Sequence, residues 1–167
     1  MRLSSVGLTC HPTVDSPACG QTFHDFVGYL RQHQVFSQVL YELRPDDHPD
    51  VILDADFDYE NIRHRLWNNL VSVADGLTFL GTTILPLRDR DWRVTGRVTV
   101  LRAGQPIKDY RAVSQLDADC NIYGCYWDRK WDEARQRVKE TAYQQLVNQF
   151  LEDRALFEAS RGAAAVP

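Results

Sequence analysis

The stretch that decides the fold is WRVTGRVTVLRAGQPIKDYRAVSQL, residues 92–116. Apolar and polar residues alternate from Trp92 to Val100, as they do in a strand that buries one face. A second alternating run covers Ile107–Leu116. The link between the runs, residues 103–106, is short and contains a glycine and a proline, so the stretch predicts a β-hairpin.

An earlier run, DVILDADFDYE at residues 50–60, repeats this alternation and predicts a third strand with one acidic face. Arg93 and Arg97 of the hairpin are expected to pair with that face across the sheet. The acidic run also resembles the start of a calcium loop. An EF-hand would need glycine and glutamate where this chain has Tyr59 and Arg65. A solvated strand face is therefore favoured over a cation site or a pair of catalytic carboxylates.

Two amphipathic helices flank the predicted strands. Apolar residues recur with helical spacing from Phe23 to Leu30, which predicts a helix from Gln21 or Thr22 to about Gln34. A longer stripe predicts a helix from about Asp128 to Phe157. The apolar stripe consists of Trp131, Ala134, Val138, Ala142, Leu146 and Phe150. The opposite side carries Arg135, Lys139, Glu140 and Gln144.

The remaining segments give weaker signals. Residues 1–9 could form a short edge strand, and Val35–Leu43 is rich in β-branched and aromatic residues, which predicts a strand. Two prolines predict a turn at 44–49. Residues 61–90 are either a loop with a short strand at Leu77–Leu85 or a buried helix.

Together these elements predict an α+β fold: a single antiparallel sheet of about four strands, with the two amphipathic helices packed on one face. The chain has 167 residues, of which 44% are hydrophobic, enough to bury a core. We expect one domain over residues 1–160 and a flexible tail over 161–167.

Composition and motifs exclude several function classes. The formal net charge of −4 disfavours nucleic acid as a main partner. The most apolar stretch, Leu66–Leu87, is interrupted by polar residues and is not expected to span a membrane. The chain has no glycine-rich phosphate loop or nucleophile elbow, and its five histidines form no metal motif. Cys10 beside His11 has no evident oxyanion turn. We therefore expect no enzyme, no cofactor and no metal.

The four cysteines fall into two local pairs. Cys10 and Cys19 flank HPTVDSPA, and Cys120 and Cys125 flank NIYG. Cysteines that close short, turn-rich loops are typical of disulfides in an oxidising compartment, so both pairs are expected to be bonded. Free buried thiols and structural zinc are the alternatives, and the second pair has a spacing that zinc accepts.

The N-terminal residues bear on the cellular location. Met1–Thr9 is too short for a secretion signal, so a signal or lipid anchor would lie upstream of Met1. The residues before Cys10 do not form a good lipidation site, because Thr9 is not the small residue that such a site prefers. Cys10 is therefore not expected to be the anchor.

An aromatic group lies between the second cysteine pair and the last helix. Trp127 and Trp131 could anchor that helix on the sheet, which would leave Tyr123 and Tyr126 exposed. Tyrosine and tryptophan are enriched in protein interfaces. The candidate partner-binding residues are therefore Tyr123, Tyr126 and Trp127.

From Phe23 to about Leu151 the chain resembles small periplasmic domains of bacterial envelope lipoproteins. The pattern comprises the Phe23 helix, Val35-Phe36-x-x-Val39, Asp50-Val51-x-Leu53-x-Ala55, Leu77-Thr78 with Thr83-x-Leu85-Pro86, and Tyr110-x-Ala112. Similar domains occur at the amino terminus of TolB, in the curli-secretion lipoprotein CsgG, and in activators of penicillin-binding proteins.

The resemblance implies a non-enzymatic adaptor that binds protein partners of the envelope. It implies a periplasmic or outer-membrane-associated location; a cytoplasmic location is the alternative. The rival functions are a small inhibitor or immunity-type protein that blocks an enzyme, and an unrecognised hydrolase or metal-dependent enzyme.

Overall fold

A computed structural model describes Leu3, residues 5–10, 20–63, Leu70, 88–120 and 129–158. Its elements, in chain order, are β1 Val6–Thr9, α1 Gln21–Gln32, β2 Val39–Tyr41, β3 Val51–Arg63, β4 Arg88–Arg102, β5 Gln105–Cys120, α2 Arg129–Glu152 and α3 Arg154–Glu158. Within these ranges, no helix is both long and apolar enough to cross a membrane.

The five strands form one sheet in the order β2-β1-β3-β4-β5. β1 runs parallel to both of its neighbours, with Val6 opposite Val39 on one side and Val51 on the other. The α+β class is confirmed, but the sheet is mixed and has five strands rather than about four antiparallel ones. Side-chain alternation reports which face of a strand is buried and not the direction of its neighbours, so it could not reveal this.

The predicted edge strand at residues 1–9 is an interior strand. β1 lies between β2 and β3, and both Val6 and Leu8 are buried. Parallel pairing of β1 with β2 requires a crossover connection, and α1 supplies it. A Cβ atom on Gly7 would lie 2.9 Å from the end of the Leu43 side chain, which would then have to shift.

The contacts divide the chain into two compact units. The first comprises residues 1–58, 95–112 and 142–167, and the second comprises 59–94 and 113–141. The expectation of a single domain over 1–160 stays a prediction.

The first unit has an aromatic core. α1 buries Phe23, Phe26, Val27 and Leu30, the face that its helical spacing predicts. Phe26 lies 5.0 Å from Phe57 and 5.3 Å from Tyr143, measured between ring centroids. The ring of Phe57 lies against Gly96, where an added Cβ would come within 2.7 Å of it. Strand β4 therefore needs a glycine at this position to accommodate that ring.

The long final helix is interrupted. α2 ends at Glu152, and α3 begins at Arg154 after a turn at Asp153. The prediction of one helix from Asp128 to Phe157 was wrong at this point, because Phe157 follows Phe150 by seven residues and keeps the helical period. The two rings still meet, 5.6 Å apart, although the backbone breaks between them.

The hairpin is confirmed, with a tighter turn and longer strands than predicted. Its loop is Ala103-Gly104, and both residues have positive φ, 50° and 77°. A two-residue hairpin turn with positive φ at both positions matches the twist of its strands. β2 is shorter than the predicted strand over Val35–Leu43.

The predictions for residues 44–49 and 61–90 had different outcomes. The turn at 44–49 is confirmed, and the Asp47 amide donates to the Arg44 carbonyl at 3.0 Å. Of residues 61–90, only the ends that extend β3 and β4, together with Leu70, are described. The candidate strand at Leu77–Leu85 and the tail at 161–167 lie outside the described residues.

Candidate functional site

Most of the predicted site residues lie outside the described part of the chain. Cys10 is disulfide-bonded, but the cysteine bonded to it is not described. Cys120 is the last residue of β5. The pairings Cys10–Cys19 and Cys120–Cys125 therefore stay predictions. So does the partner-binding role of the aromatic loop. The predicted residues outside the described ranges are Cys19, Tyr123, Tyr126, Cys125 and Trp127.

Trp131 anchors α2 on the sheet within the second unit. Its side chain is buried, and its ring lies 6.2 Å from that of Trp92 on β4, close to edge-on. An edge-to-face pair of this kind adds about 0.5–1.5 kcal/mol to the burial of the two rings. This confirms the anchoring role predicted for Trp131.

The same unit contains a stack of aromatic rings capped by cations. Tyr59 stacks on Trp92 at 5.8 Å. The guanidinium of Arg135 lies 5.4 Å from the Trp92 ring, and the Lys139 ammonium lies 5.6 Å from the Tyr59 ring. Lys139 is buried, which corrects its predicted place on the polar side of the helix. A lysine can cover apolar surface with its stem while its charge rests on a ring face.

The stack contains two buried polar atoms, a phenol oxygen and an indole nitrogen. Among the described residues, Trp92 Nε1 has no hydrogen-bond partner, and the buried Tyr59 Oη has only the Arg135 guanidinium near it. Burial raises the pKa of Tyr59. A buried donor without an acceptor costs about 1–3 kcal/mol. The apolar–polar alternation of the two strands predicted that these side chains face inward. The sequence does not show whether a buried hydroxyl has a hydrogen-bond acceptor nearby.

Among the described residues, the acidic run 50–60 contacts Ser5, Thr9 and Arg93, each through a different carboxylate. Arg93 lies 3.7 Å from Glu60, and both side chains are close to half exposed, so this ion pair contributes little. The Thr9 hydroxyl donates to Asp54 at 3.3 Å. The cross-sheet pairing predicted for Arg93 is confirmed, whereas that of Arg97 stays a prediction. Among the described residues, no group of three His, Cys, Asp or Glu side chains could hold a metal ion.

Two exposed histidines lie on and just after α1. His24 and His33 are exposed, and each contacts a tyrosine ring. His24 lies 5.3 Å from Tyr41, and His33 lies 4.2 Å from Tyr29. These contacts leave both imidazoles at the surface.

The open edge of β5 in the described sheet was not predicted from the sequence. In the described sheet, β5 pairs with β4 on one side and is the last strand on the other. Ile107 and Val113 are 39% and 45% exposed, although both are large and apolar. The sequence did contain a signal, because these two residues lie on the polar side of the alternation in β5.

Asp153 forms a second polar cluster at the break between α2 and α3. The Tyr110 hydroxyl donates to its carboxylate at 3.0 Å, and Lys108 forms an ion pair with the same oxygen. The Lys108 contact, with help from Tyr110, lowers the pKa of Asp153, while burial raises the pKa of Tyr110. The cluster ties the start of β5 to the end of α2.

No family model matches the chain, and no curated protein matches it. Among solved structures, a minor lipoprotein from Acinetobacter baumannii is similar, with a TM-score of 0.54 at 13% identity over 91% of this chain and 93% of that chain. An uncharacterised lipoprotein B from Nitrosomonas europaea has a TM-score of 0.53 at 13% identity, over 95% of this chain and 87% of that chain.

The chain shares its fold with bacterial lipoproteins. This agrees with the predicted resemblance to envelope-lipoprotein domains. These two structures do not bear on TolB, CsgG or activators of penicillin-binding proteins, so the likeness to those families stays a prediction. At 13% identity the likeness is one of fold, and no site residue is carried over from either lipoprotein.

Proposed function

We propose that this chain is a non-enzymatic binding module of the bacterial cell envelope that connects protein partners. The observation that carries the proposal is the fold that it shares with two bacterial lipoproteins, over at least 87% of each chain. The disulfide at Cys10 supports an oxidising compartment, because cytosolic thiols are normally kept reduced.

The proposed partner surface is the aromatic segment before α2. Trp131 anchors that helix through its contact with Trp92. The anchoring role is therefore filled by a residue inside the helix, which supports the assignment of Tyr123, Tyr126 and Trp127 to partner contact. A disulfide between Cys120 and Cys125 would order this segment in advance and reduce the entropy lost on docking.

Cell fractionation tests the location. The full gene product, tagged at its C-terminus in its native bacterium, is expected in the periplasmic or outer-membrane fraction. A cytosolic enzyme and a known outer-membrane lipoprotein serve as fraction markers. Recovery with the cytosolic marker would contradict the proposal.

A double substitution tests the partner surface. We expect Tyr123→Ala with Tyr126→Ala to keep the thermal midpoint and to reduce the recovery of co-purified envelope proteins, quantified by mass spectrometry. The control is Gln136→Ala with Glu140→Ala, an exposed pair on α2 that should leave recovery unchanged. Equal recovery for both variants would show that the partner binds elsewhere, and loss of folding would show that the segment is structural.

A further inference from the structure

The open edge of β5 is long enough to pair with another strand. β5 has sixteen residues and is an edge strand in the described sheet. An unpaired edge presents a row of backbone donors and acceptors to any strand that fits it. Proteins usually shorten or cover such edges, whereas Ile107 and Val113 leave apolar side chains exposed along this one.

The contact of Gln149 identifies which residues face the open side. The Gln149 side chain donates to the Arg111 carbonyl at 3.1 Å, so this carbonyl points away from β4. In an antiparallel strand, the N–H and C=O of one residue point to the same side, and the side alternates along the chain. Ile107, Asp109, Arg111 and Val113 therefore present their backbone groups at the edge, and all four side chains are exposed.

We propose that two copies of this chain pair through β5, antiparallel, about a twofold axis at Tyr110. In this register Asp109 of each copy lies opposite Arg111 of the other, and Ile107 of each lies opposite Val113 of the other. Opposite charges and apolar side chains that face each other across strands both stabilise pairing. The four residues that form these pairs are also the ones whose backbone groups face the open side of β5 in the described sheet.

Neighbouring registers lack this complementarity. An axis at Asp109 sets two carboxylates opposite each other, and an axis at Arg111 does the same with two guanidinium groups. An axis at Ala112 sets Arg111 opposite Val113 and pairs no charges. A slip by one residue moves every side chain to the wrong face. The self-complementary order Ile-x-Asp-x-Arg-x-Val therefore selects a second copy of this chain as the occupant of the edge.

Gln149 already forms a hydrogen bond to the edge of β5 that would pair with the second copy. Its contact with the Arg111 carbonyl occupies one of the two lone pairs of that oxygen, and the Asp109 amide of the second copy would take the other. Gln149→Ala is therefore expected to leave the dimer intact or to strengthen it. The dimer does not depend on the proposed envelope function and can be tested on the purified chain.

Charge swaps test the register. Sedimentation velocity of the purified chain, over a range of concentrations, is expected to show a dimer. Arg111→Asp places like charges opposite each other twice, so the dimer dissociation constant should rise about tenfold or more. Asp109→Arg should act in the same way. The double variant, which exchanges the two charges, should again form a dimer. The control is Arg137→Asp, an exposed arginine on α2 that should not affect dimerisation.

Mixing the two single variants provides a second test. Arg111→Asp presents two carboxylates, and Asp109→Arg presents two guanidinium groups, so they should be monomers alone and a heterodimer together. Circular dichroism checks that each variant is folded. A monomeric wild-type chain would overturn the proposal. This holds even if the edge of β5 were then found to accept a strand from a different protein. Failure of the mixed variants to associate would overturn the register.

Discussion

At the scale of single residues, two tyrosines form a matched pair. Tyr143 is buried and donates its hydroxyl to the Thr22 carbonyl at 2.7 Å, whereas the buried hydroxyl of Tyr59 donates to no acceptor among the described residues. We expect Tyr143→Phe to lower the free energy of unfolding by about 0.5–1.5 kcal/mol, because it removes a buried hydrogen bond. Tyr59→Phe should leave stability unchanged or raise it. Urea unfolding of both variants measures the difference, and equal losses would contradict the assignment.

The buried tyrosines also predict how stability depends on pH. Burial raises the pKa values of Tyr143 and Tyr110 above that of an unfolded tyrosine, about 10. The stability that they contribute is therefore complete below about pH 10 and is lost as the pH rises further. For Tyr143 the loss approaches about 1.4 kcal/mol per pH unit. Tyr143→Phe should flatten the fall in unfolding free energy between about pH 9 and pH 11, and an unchanged slope would contradict this.

The sequence predicted the buried side of most residues but not their partners. Tyr59 and Trp92 were expected to face inward, and they form the stack of the second unit. The hydrogen bonding of their polar atoms depends on the placement of distant groups, which alternation does not encode. Lys139 shows the same limit, because a charged residue predicts exposure unless a ring happens to lie below its ammonium.

At the scale of elements, two glycines predict opposite effects of the same substitution. A Cβ atom on Gly96 of β4 would come within 2.7 Å of the Phe57 ring, whereas no described residue has an atom within 4 Å of one on Gly28 of α1. Gly96→Ala should destabilise the protein by about 1–3 kcal/mol through overpacking. Gly28→Ala should stabilise α1 by about 0.5–1 kcal/mol, because alanine is the better helix former. Thermal unfolding compares the two, and shifts of equal sign would contradict the packing of β4.

Strand β3 gives a second matched pair. Leu53 is fully buried on its inner side, while Asp56 is exposed on the outer side. Leu53→Ala should cost about 2–4 kcal/mol of unfolding free energy, because it removes buried methyl groups and leaves a cavity. Asp56→Asn should change stability far less. Unfolding by Asp56→Asn, or loss of a measured cation, would show that the acidic face is more than a solvated surface.

The elements were predictable where they repeat a simple period. α1, β3, β4 and β5 all appear at their predicted places, because each keeps one apolar face over many residues. β1 was misplaced as an edge strand, since a short segment such as Val6–Thr9 carries no information on its neighbours. The break at Asp153 was missed because the apolar period continues through it, and only the contacts of its carboxylate mark the turn.

At the scale of the whole molecule, the sequence predicted the class of fold and its likeness to lipoprotein domains, but not the topology of the sheet. The mixed sheet follows from the parallel crossover through α1, which local patterns do not determine. The self-complementary edge of β5 was present in the sequence, but its meaning depends on β5 being the outer strand. A pairing surface on an edge strand can be recognised only when the order of the strands in the sheet is known.

The predicted disulfides would each close a short loop and so stabilise the folded chain. Cys10 is disulfide-bonded, and the spacing of the cysteines predicts Cys19 as its partner, with Cys120 bonded to Cys125. Each short loop should stabilise the fold by about 2–3 kcal/mol in the chain-entropy model. The double variant Cys10→Ala with Cys19→Ala should therefore lose that amount of unfolding free energy without losing the fold.

Peptide mapping without reduction tests the pairing. Cleavage before Asp15 separates Cys10 from Cys19, and cleavage after Tyr123 separates Cys120 from Cys125. Fragments joined by each predicted disulfide should separate only on reduction. A bond from Cys10 to Cys120 or Cys125 would contradict local pairing and would cross-link distant parts of the chain. Four free thiols in protein from an oxidising compartment would contradict both bonds. The proposed envelope location would then rest on the lipoprotein fold alone.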